Sequence, residues 1–358
     1  MLQYRVFIKD CLDLVNLPVA NEICTAFSIK RDLMGNATST FTVLNKSGNI
    51  KEGDILGLID PYGTILYTGV IKSIGEDIEC TQMLSLFDDN WKWYDPTATT
   101  IEGKIQDIIQ TDFINSTDVL VRQKFPFDIT VTSQTEGTFE QHTQTKTEEG
   151  EQVEYTSQRY VQNLEDFLYE LYDTWNVIVD IQVPFGAERP TITIGQPTSE
   201  SVKVGNNVLP ILNMTPFTEV FEKNRLFIYD KDGAELRAVY YGTKEGITQD
   251  ASNPLRLPVI NSYYVFSSDA VIEDVVSEHL QEQMLNHKIT FSLLLDNNLY
   301  SFFDWQLGMP FEIWWNTQYF STIFTAYSIN KDINQEMEIV DITCGKVRNT
   351  LTAIFNRK

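Results

Sequence analysis

Between Ser267 and Cys344 the spacing of apolar residues changes once, from a helical period to an alternating one, and few arrangements bury both. Ser267-Ser268-Asp269 offers an N-cap, after which Val271, Ile272, Val275, Val276, Leu280, Met284 and Leu285 recur on one helical face. Asp269, Glu273 and Asp274 crowd the first turns while His287 and Lys288 close the segment, the polarity that a helix dipole favours. Ile289, Phe291, Leu293 and Leu295 then alternate, Leu307-Gly308-Met309-Pro310 breaks the pattern, and runs at Phe311–Trp315, Tyr319–Ile329 and Met337–Cys344 follow. A helix over Ser268–Asn286 laid on a small antiparallel barrel satisfies both periods. Val276 then sits at the centre of the face covering the strand that starts at Ile289.

The remainder of the chain reads as further small modules. Tyr4, Val6 and Ile8, then Phe27 and Ile29, then Phe41 and Val43 alternate, with turn clusters at Asn45–Gly48 and Asp60–Gly63, which predicts a small closed barrel in the first hundred residues. From Trp91 the character changes. Thr99-Thr100-Ile101-Glu102 is a capping box, Ile101, Ile105, Ile108, Ile109 and Phe113 make a helical stripe, and a second helix from Asn163 to Trp175 runs into a strand at Val177–Ile181. Between these helices Ser133–Gln158 is rich in Thr, Gln and Glu and nearly empty of large apolar side chains, Phe139 excepted. It reads as a long loop or extended hairpin that is mobile until a neighbour docks, either a contact arm or a solvated insertion without a role. Strands resume over 192–260, where Asp230-Lys231-Asp232-Gly233 has the form of a hairpin turn; the further spaced acids and closing Glu of a calcium loop are missing. The expected fold class is α+β and β-rich, two small antiparallel β-barrels with inserted α+β units. Its domains are a barrel at 1–96, an α+β insertion at 97–191 carrying the 133–158 segment, a β-rich connection at 192–264, and a helix plus barrel at 265–358.

Charge narrows the partners. With 27 Lys and Arg against 50 Asp and Glu, the net charge of −23 repels a phosphate backbone and argues against tight nucleic-acid binding. The same repulsion keeps DNA from sticking to the wall of a conduit, although acidity also serves solubility alone. No apolar run is long enough to span a bilayer, and the start of the chain lacks the basic and apolar regions of a signal peptide, so synthesis in the cytoplasm is expected. Cys11, Cys24, Cys80 and Cys344 show no paired spacing and read as small core residues.

No motif for a nucleophile elbow, a zinc protease, a phosphate-binding loop or a dinucleotide is present. His279 and His287 lie too far apart on their helix for a metal pair, and His142 falls in the polar segment. No catalytic, cofactor-binding or metal residues are therefore expected. Asp88, Asp89 and Glu312 remain carboxylates that nothing in the sequence excludes from a glycosidase-like pair, and Trp314-Trp315 beside Glu312 could stack a sugar, with core or protomer contact the preferred reading.

Several stretches together resemble hub proteins from the tail tips of bacteriophages. They are Leu66-Tyr67-Thr68-Gly69-Val70-Ile71-Lys72, the barrel-then-helix order from Trp91, the strand from Asn224 with its polar hairpin, the Leu307–Pro310 turn, and the terminal Gly345-Lys346-Val347-Arg348-Asn349-Thr350-Leu351-Thr352. That group includes the tail-associated proteins of phages of Gram-positive hosts, the baseplate hub of contractile phages and the spike base of type VI secretion. The resemblance implies a non-enzymatic homotrimer that closes or continues the tail tube, with both barrels as tube domains. Its implied partners are the distal tail or tail tube protein, the tape measure protein, and a fibre, receptor-binding or cell-puncturing component, with DNA only in passage. The other reading of the residues is an acidic cell-surface protein that binds or cleaves glycans.

Overall fold

Period-two alternation closes the N-terminal residues into a barrel. The computed structural model describes residues 3–33, 35, 37–46, 50–92, 96–115, 126–139, 142–148, 151–157, 161–205, 211, 213–214, 218–219, 224–231, 233, 235–243, 246–253, 259, 261–265, 272, 275–276, 280, 287–295, 302–315, 318–331 and 338–345. They fall into two compact units, the first holding Met1–Asn213 and Phe291–Thr343, the second Met214–Thr290 with Cys344–Lys346. In the first unit, strands β1 (Arg5–Lys9), β2 (Ala20–Asp32), β3 (Ser39–Val43), β4 (Ile55–Ile59), β5 (Ile65–Ile74) and β6 (Ile78–Gln82) run in the order β1-β4-β5-β6-β3-β2, and β1 pairs back onto β2. All six contacts are antiparallel. Val6, Ile8, Phe41, Leu56, Leu58 and Cys80 are fully buried in these strands. Gly57 lies opposite Phe7, and a Cβ there would fall 2.1 Å from the phenyl ring, so only glycine fits. Gly69 has a similar reason. Tyr67 folds across it to donate from its hydroxyl to the Thr81 carbonyl at 3.1 Å, and a side chain at 69 would strike that hydroxyl.

After β7 (Asn90–Lys92) comes α1 (Ile101–Ile108), continued by a π-turn at Ile109–Ile114. Thr100 caps the helix, accepting from the Gly103 amide at 3.2 Å, one residue later than the Thr99–Glu102 box expected from the sequence. The predicted stripe is the buried face: Ile101, Ile105, Ile108 and Ile109 are almost wholly covered. They pack with Phe167, Leu168 and Leu171 of α2 (Leu164–Trp175) over a small sheet. That sheet orders β12 (Ile178–Gln182), β13 (Thr191–Gly195) and β8 (Asp128–Val131), with β12 and β13 antiparallel and β13 and β8 parallel. α2 is capped by the Asn163 side chain, and Asn176 ends it in the left-handed region at φ 55°. Within the Thr- and Gln-rich segment, β9 (His142–Glu148) and β10 (Glu151–Ser157) form an antiparallel hairpin, paired from His142 with Ser157 to Glu148 with Glu151. β11 (Val161–Asn163) returns to pair with β7.

The first unit continues with β14 (Val202–Gly205), and β15 (Asn213–Met214) spans the boundary between the units. In the second unit β16 (Thr218–Glu219) precedes a four-stranded sheet of β17 (Arg225–Tyr229), β18 (Leu236–Thr243), β19 (Gly246–Thr248) and β20 (Asn261–Val265), in the order β19-β18-β17-β20. The Asp230–Gly233 segment is the turn between β17 and β18, closed by the Gly233 amide on the Asp230 carbonyl at 2.9 Å. Of the expected helix over 268–286, Ile272, Val275 and Val276 are helical, and most of the rest lies outside the described residues. Val275, Val276 and Leu280 are buried with Leu226 and Ile228 of this sheet, where the sequence reading had the stripe covering the strand from Ile289. Leu226 and Ile228 supply an apolar strand face within the same unit, and that face satisfies the helix.

β21 (His287–Leu294) crosses the unit boundary, and β22 (Pro310–Trp315), β23 (Gln318–Lys331) and β24 (Ile339–Gly345) complete the chain's strands. Within the first unit β14 pairs parallel with β22, β22 antiparallel with β23, and β23 leads on to β24 and β21. Phe302, Trp305, Phe311, Phe324 and Tyr327 fill this group with edge-on and tilted ring contacts, Phe302 to Tyr327 at 4.9 Å being the shortest.

Candidate functional site

The feature that organises the first unit is a seam. The first half of β2 serves the barrel, while Phe27–Asp32 pairs antiparallel with Ala326–Lys331 of β23, joining the N-terminal barrel to the strands at the other end of the sequence. Polar groups line it. Ser28 Oγ donates to Asn330 Oδ1 at 2.7 Å, Lys331 Nζ lies 3.2 Å from Glu338 Oε1, and the Tyr4 hydroxyl donates to that same carboxylate. Burial, the Glu338 hydrogen bond and its charge all push the Tyr4 phenol up, so it stays a donor at any working pH.

At the inner end of the seam Arg31 lies opposite Tyr327 and donates from Nη2 to Asp180 Oδ1 of β12 at 2.9 Å, tying the insertion sheet to both sets of strands. Burial pushes the Tyr327 phenol up, which keeps it neutral beside the guanidinium. Two further buried charges fix loops. Lys9, fully buried, donates from Nζ to the carbonyls of Leu14 at 3.0 Å and Gly186 at 2.8 Å, stapling the β1–β2 and β12–β13 connections together; burial lowers its pKa. Glu102 of α1 is also fully buried. Burial alone would raise its carboxyl, but donors from the Ser133 hydroxyl at 2.6 Å, the Thr135 amide at 2.7 Å and the Thr135 hydroxyl at 2.8 Å hold it below the ordinary range.

Among the described residues, the carboxylates weighed for catalysis are each engaged by other groups. Asp88 accepts from Asn163 Nδ2 at 2.8 Å beside the start of α2. The main-chain carbonyl of Asp89 accepts the Leu164 amide at 3.0 Å. Glu312 is held by Ser201 Oγ at 2.9 Å and faces Lys203 at 3.8 Å. Trp314 is 40% exposed rather than in the core, its neighbours Phe311 and Ile313 taking the buried positions; the side chain of Trp315 lies outside the described residues. His279 lies outside them too, as do the side chains of His142 and His287. Asp10, Cys11 and Asp54 bring three potential ligand atoms within 4.8 Å of one another. Both Asp54 oxygens already accept backbone amides, from Cys11 at 3.2 Å and Lys51 at 2.9 Å, so the group is first of all a turn cap. The four cysteines form no disulfide; burial pushes Cys24 up to about 12 and raises Cys80 and Cys344 as well. Among the described residues no helix is long and apolar enough to cross a membrane.

The fold as a whole also occurs in proteins of known structure. The chain is similar to a tail protein from Neisseria meningitidis MC58, with TM-score 0.53 and 10% identity over 96% of this chain and 97% of that one. The 43 kDa tail protein of prophage MuSo2 from Shewanella oneidensis matches at TM-score 0.54 and 12% identity, over 96% and 98%. The fold is that of phage tail proteins. A chain of the phage P2 baseplate in its activated conformation shares it too, at TM-score 0.52 and 10% identity over 97% and 100%. No family model matches the sequence, and no curated protein matches it. The pairing of Arg31 with Asp180 carried no signal in the sequence because the two lie 149 residues apart, and Glu102, read there as part of a capping box, instead serves Ser133 and Thr135.

Proposed function

We propose that this chain is a structural hub at the distal end of a phage tail, a homotrimeric ring that closes or continues the tail tube and carries other tail-tip proteins. The observation that carries the reading is the extent of the likeness: it runs through at least 96% of this chain and of two tail proteins and a chain of the phage P2 baseplate. The net charge of −23 supports an acidic lumen through which DNA slides without binding. On this reading the chain is not an enzyme and needs no cofactor. Its partners are the distal tail or tube protein, the tape measure protein and a distal fibre, receptor-binding or cell-puncturing component, and it resides at the tail tip of the virion. The β9–β10 hairpin suits a contact arm, because a two-stranded ribbon gains little stability alone and more against a neighbour.

Native mass measurement of the purified chain tests the ring, with a trimer expected; a stable monomer or a sixfold ring of this chain counts against it. Reversing several lumen acids to Lys is expected to slow DNA ejection while leaving assembly intact, and unchanged ejection from such particles would remove the lumen from the proposal.

A further inference from the structure

We propose that the exposed face of β22 and β23 around Trp314 is a binding platform for a neutral pyranose chain, a role independent of the tail-hub reading. Trp314 and Tyr319 sit directly opposite one another, 40% and 53% exposed, their ring centroids 5.0 Å apart and inclined at 49°. Phe311 and Ile313, the inward residues of the same strand, are wholly buried, so the outward aromatic pair is not needed to fill the core. On the same side, two residues before Trp314, stands Glu312, with the exposed Ser321 opposite it on β23. Ser201 and Lys203 flank that carboxylate at 2.9 and 3.8 Å, and Lys203 is 60% exposed, so its ammonium has donors to spare.

The neighbouring strand adds no side chain beside the indole. The position beside Trp314 on β14 is Gly205, where even a methyl group would press on the Trp314 carbonyl oxygen at 2.9 Å and Cβ at 3.1 Å. No side chain from that position overlies the indole. A pyranose presents C–H bonds on one face and hydroxyls around its rim, which matches an aromatic shelf bordered by a carboxylate, an ammonium and a hydroxyl. The carboxylate within the platform, on a chain of net charge −23, disfavours polyanionic glycans and selects neutral ones. A protein partner fits less well, since it would have to desolvate and re-pair Glu312, Lys203 and Ser321 to cover only two rings.

The test titrates the full chain with neutral tetrasaccharides of glucose and of N-acetylglucosamine, with tetragalacturonate as the anionic control, followed by calorimetry and saturation-transfer NMR. Weak saturable binding of at least one neutral tetramer is expected, reduced about tenfold or more by Trp314→Ala or Tyr319→Ala and by a smaller factor in Glu312→Gln. Thermal unfolding of each variant controls for its fold; should Trp314→Ala fail to fold, Tyr319→Ala and Lys203→Met carry the test. The proposal is overturned by the absence of saturable binding to either neutral tetramer, by equal binding in the aromatic variants, or by tighter binding of the anionic control. A change in oligomeric mass in those variants without any saccharide binding also overturns it, assigning the face to a protein contact.

Discussion

Ile29 of β2 and Ile329 of β23 lie directly opposite one another across the antiparallel seam, and both are wholly buried. Together they form the apolar centre of the only direct strand pairing described between the N-terminal barrel and the C-terminal strands. Ile29→Ala removes three carbons where both neighbouring strands are fixed, so little relaxation can fill the space. The expected cost is about 3 kcal/mol, read as a lower urea midpoint at unchanged slope. A loss below about 0.5 kcal/mol would mean that the seam closes around the gap.

Arg31 and Asp180 keep 29% and 33% of their side-chain surface, which places their pair between a surface and a buried salt bridge. A double-mutant cycle with Arg31→Met and Asp180→Asn is expected to return a coupling of about 1 kcal/mol. The Arg189–Asp128 pair, longer at 3.6 Å and with 59% and 64% of its side-chain surface exposed, serves as the comparison and should couple negligibly. Equal couplings would deny the first pair any special part in holding the insertion sheet.

Glu102 gives the fold an acid-sensitive joint. Its folded pKa is held below the ordinary carboxylate value, so its contribution is fully present above the unfolded pKa and is lost as pH falls toward the folded one. Acidification through the carboxylate range should therefore free Ser133 and Thr135 from α1. Glu102→Gln is expected to be less stable at neutral pH and to show a flatter acid limb in urea midpoints measured from neutral to acid pH. A parallel acid limb in the variant would exclude this carboxylate as its source.

Val276 tests the second unit. Val276→Asp places an unpaired carboxylate among Leu226, Ile228 and Leu280 and should cost several kcal/mol. Limited proteolysis is expected to open sites within 214–290 while the barrel of β1–β6 stays resistant. Cleavage spreading into the barrel, or unchanged resistance everywhere, would contradict the packing described for this helix.

Local chemistry was legible in the sequence wherever a residue's reason lies within a few positions of it. The alternation of Phe27 and Ile29, the stripe from Ile101 to Ile109, the second helix up to Trp175 and the Asp230–Gly233 turn are all present in the fold. Reasons that lie far along the chain were not legible. Val276 has the spacing of a helix that must cover something, but spacing carries no address, and both β17 and the strand from Ile289 offered an apolar face. Tyr67 and Gly69 stand two apart in one run of the sequence, yet their relation is a ring lying over a missing side chain. The exposure of Trp314 beside the buried Ile313 follows the rule that alternate strand residues face opposite sides, and which parity of this strand faces outward was beyond composition to say.

The seam between β2 and β23 also sets a timetable for synthesis. Ser28 and Asn330, bonded across it, are 302 residues apart. At roughly 5–20 residues per second the ribosome needs about 15–60 s to cover that distance. The barrel of β1–β6 can close on itself long before then, but the edge of Phe27–Asp32 that faces β23 emerges with its hydrogen-bonding groups unmatched. For that interval the nascent protein carries a ready template for pairing with a foreign strand. Lys30, Arg31 and Asp32, three consecutive charges in that stretch, are placed where they would discourage the wrong partner until β23 arrives.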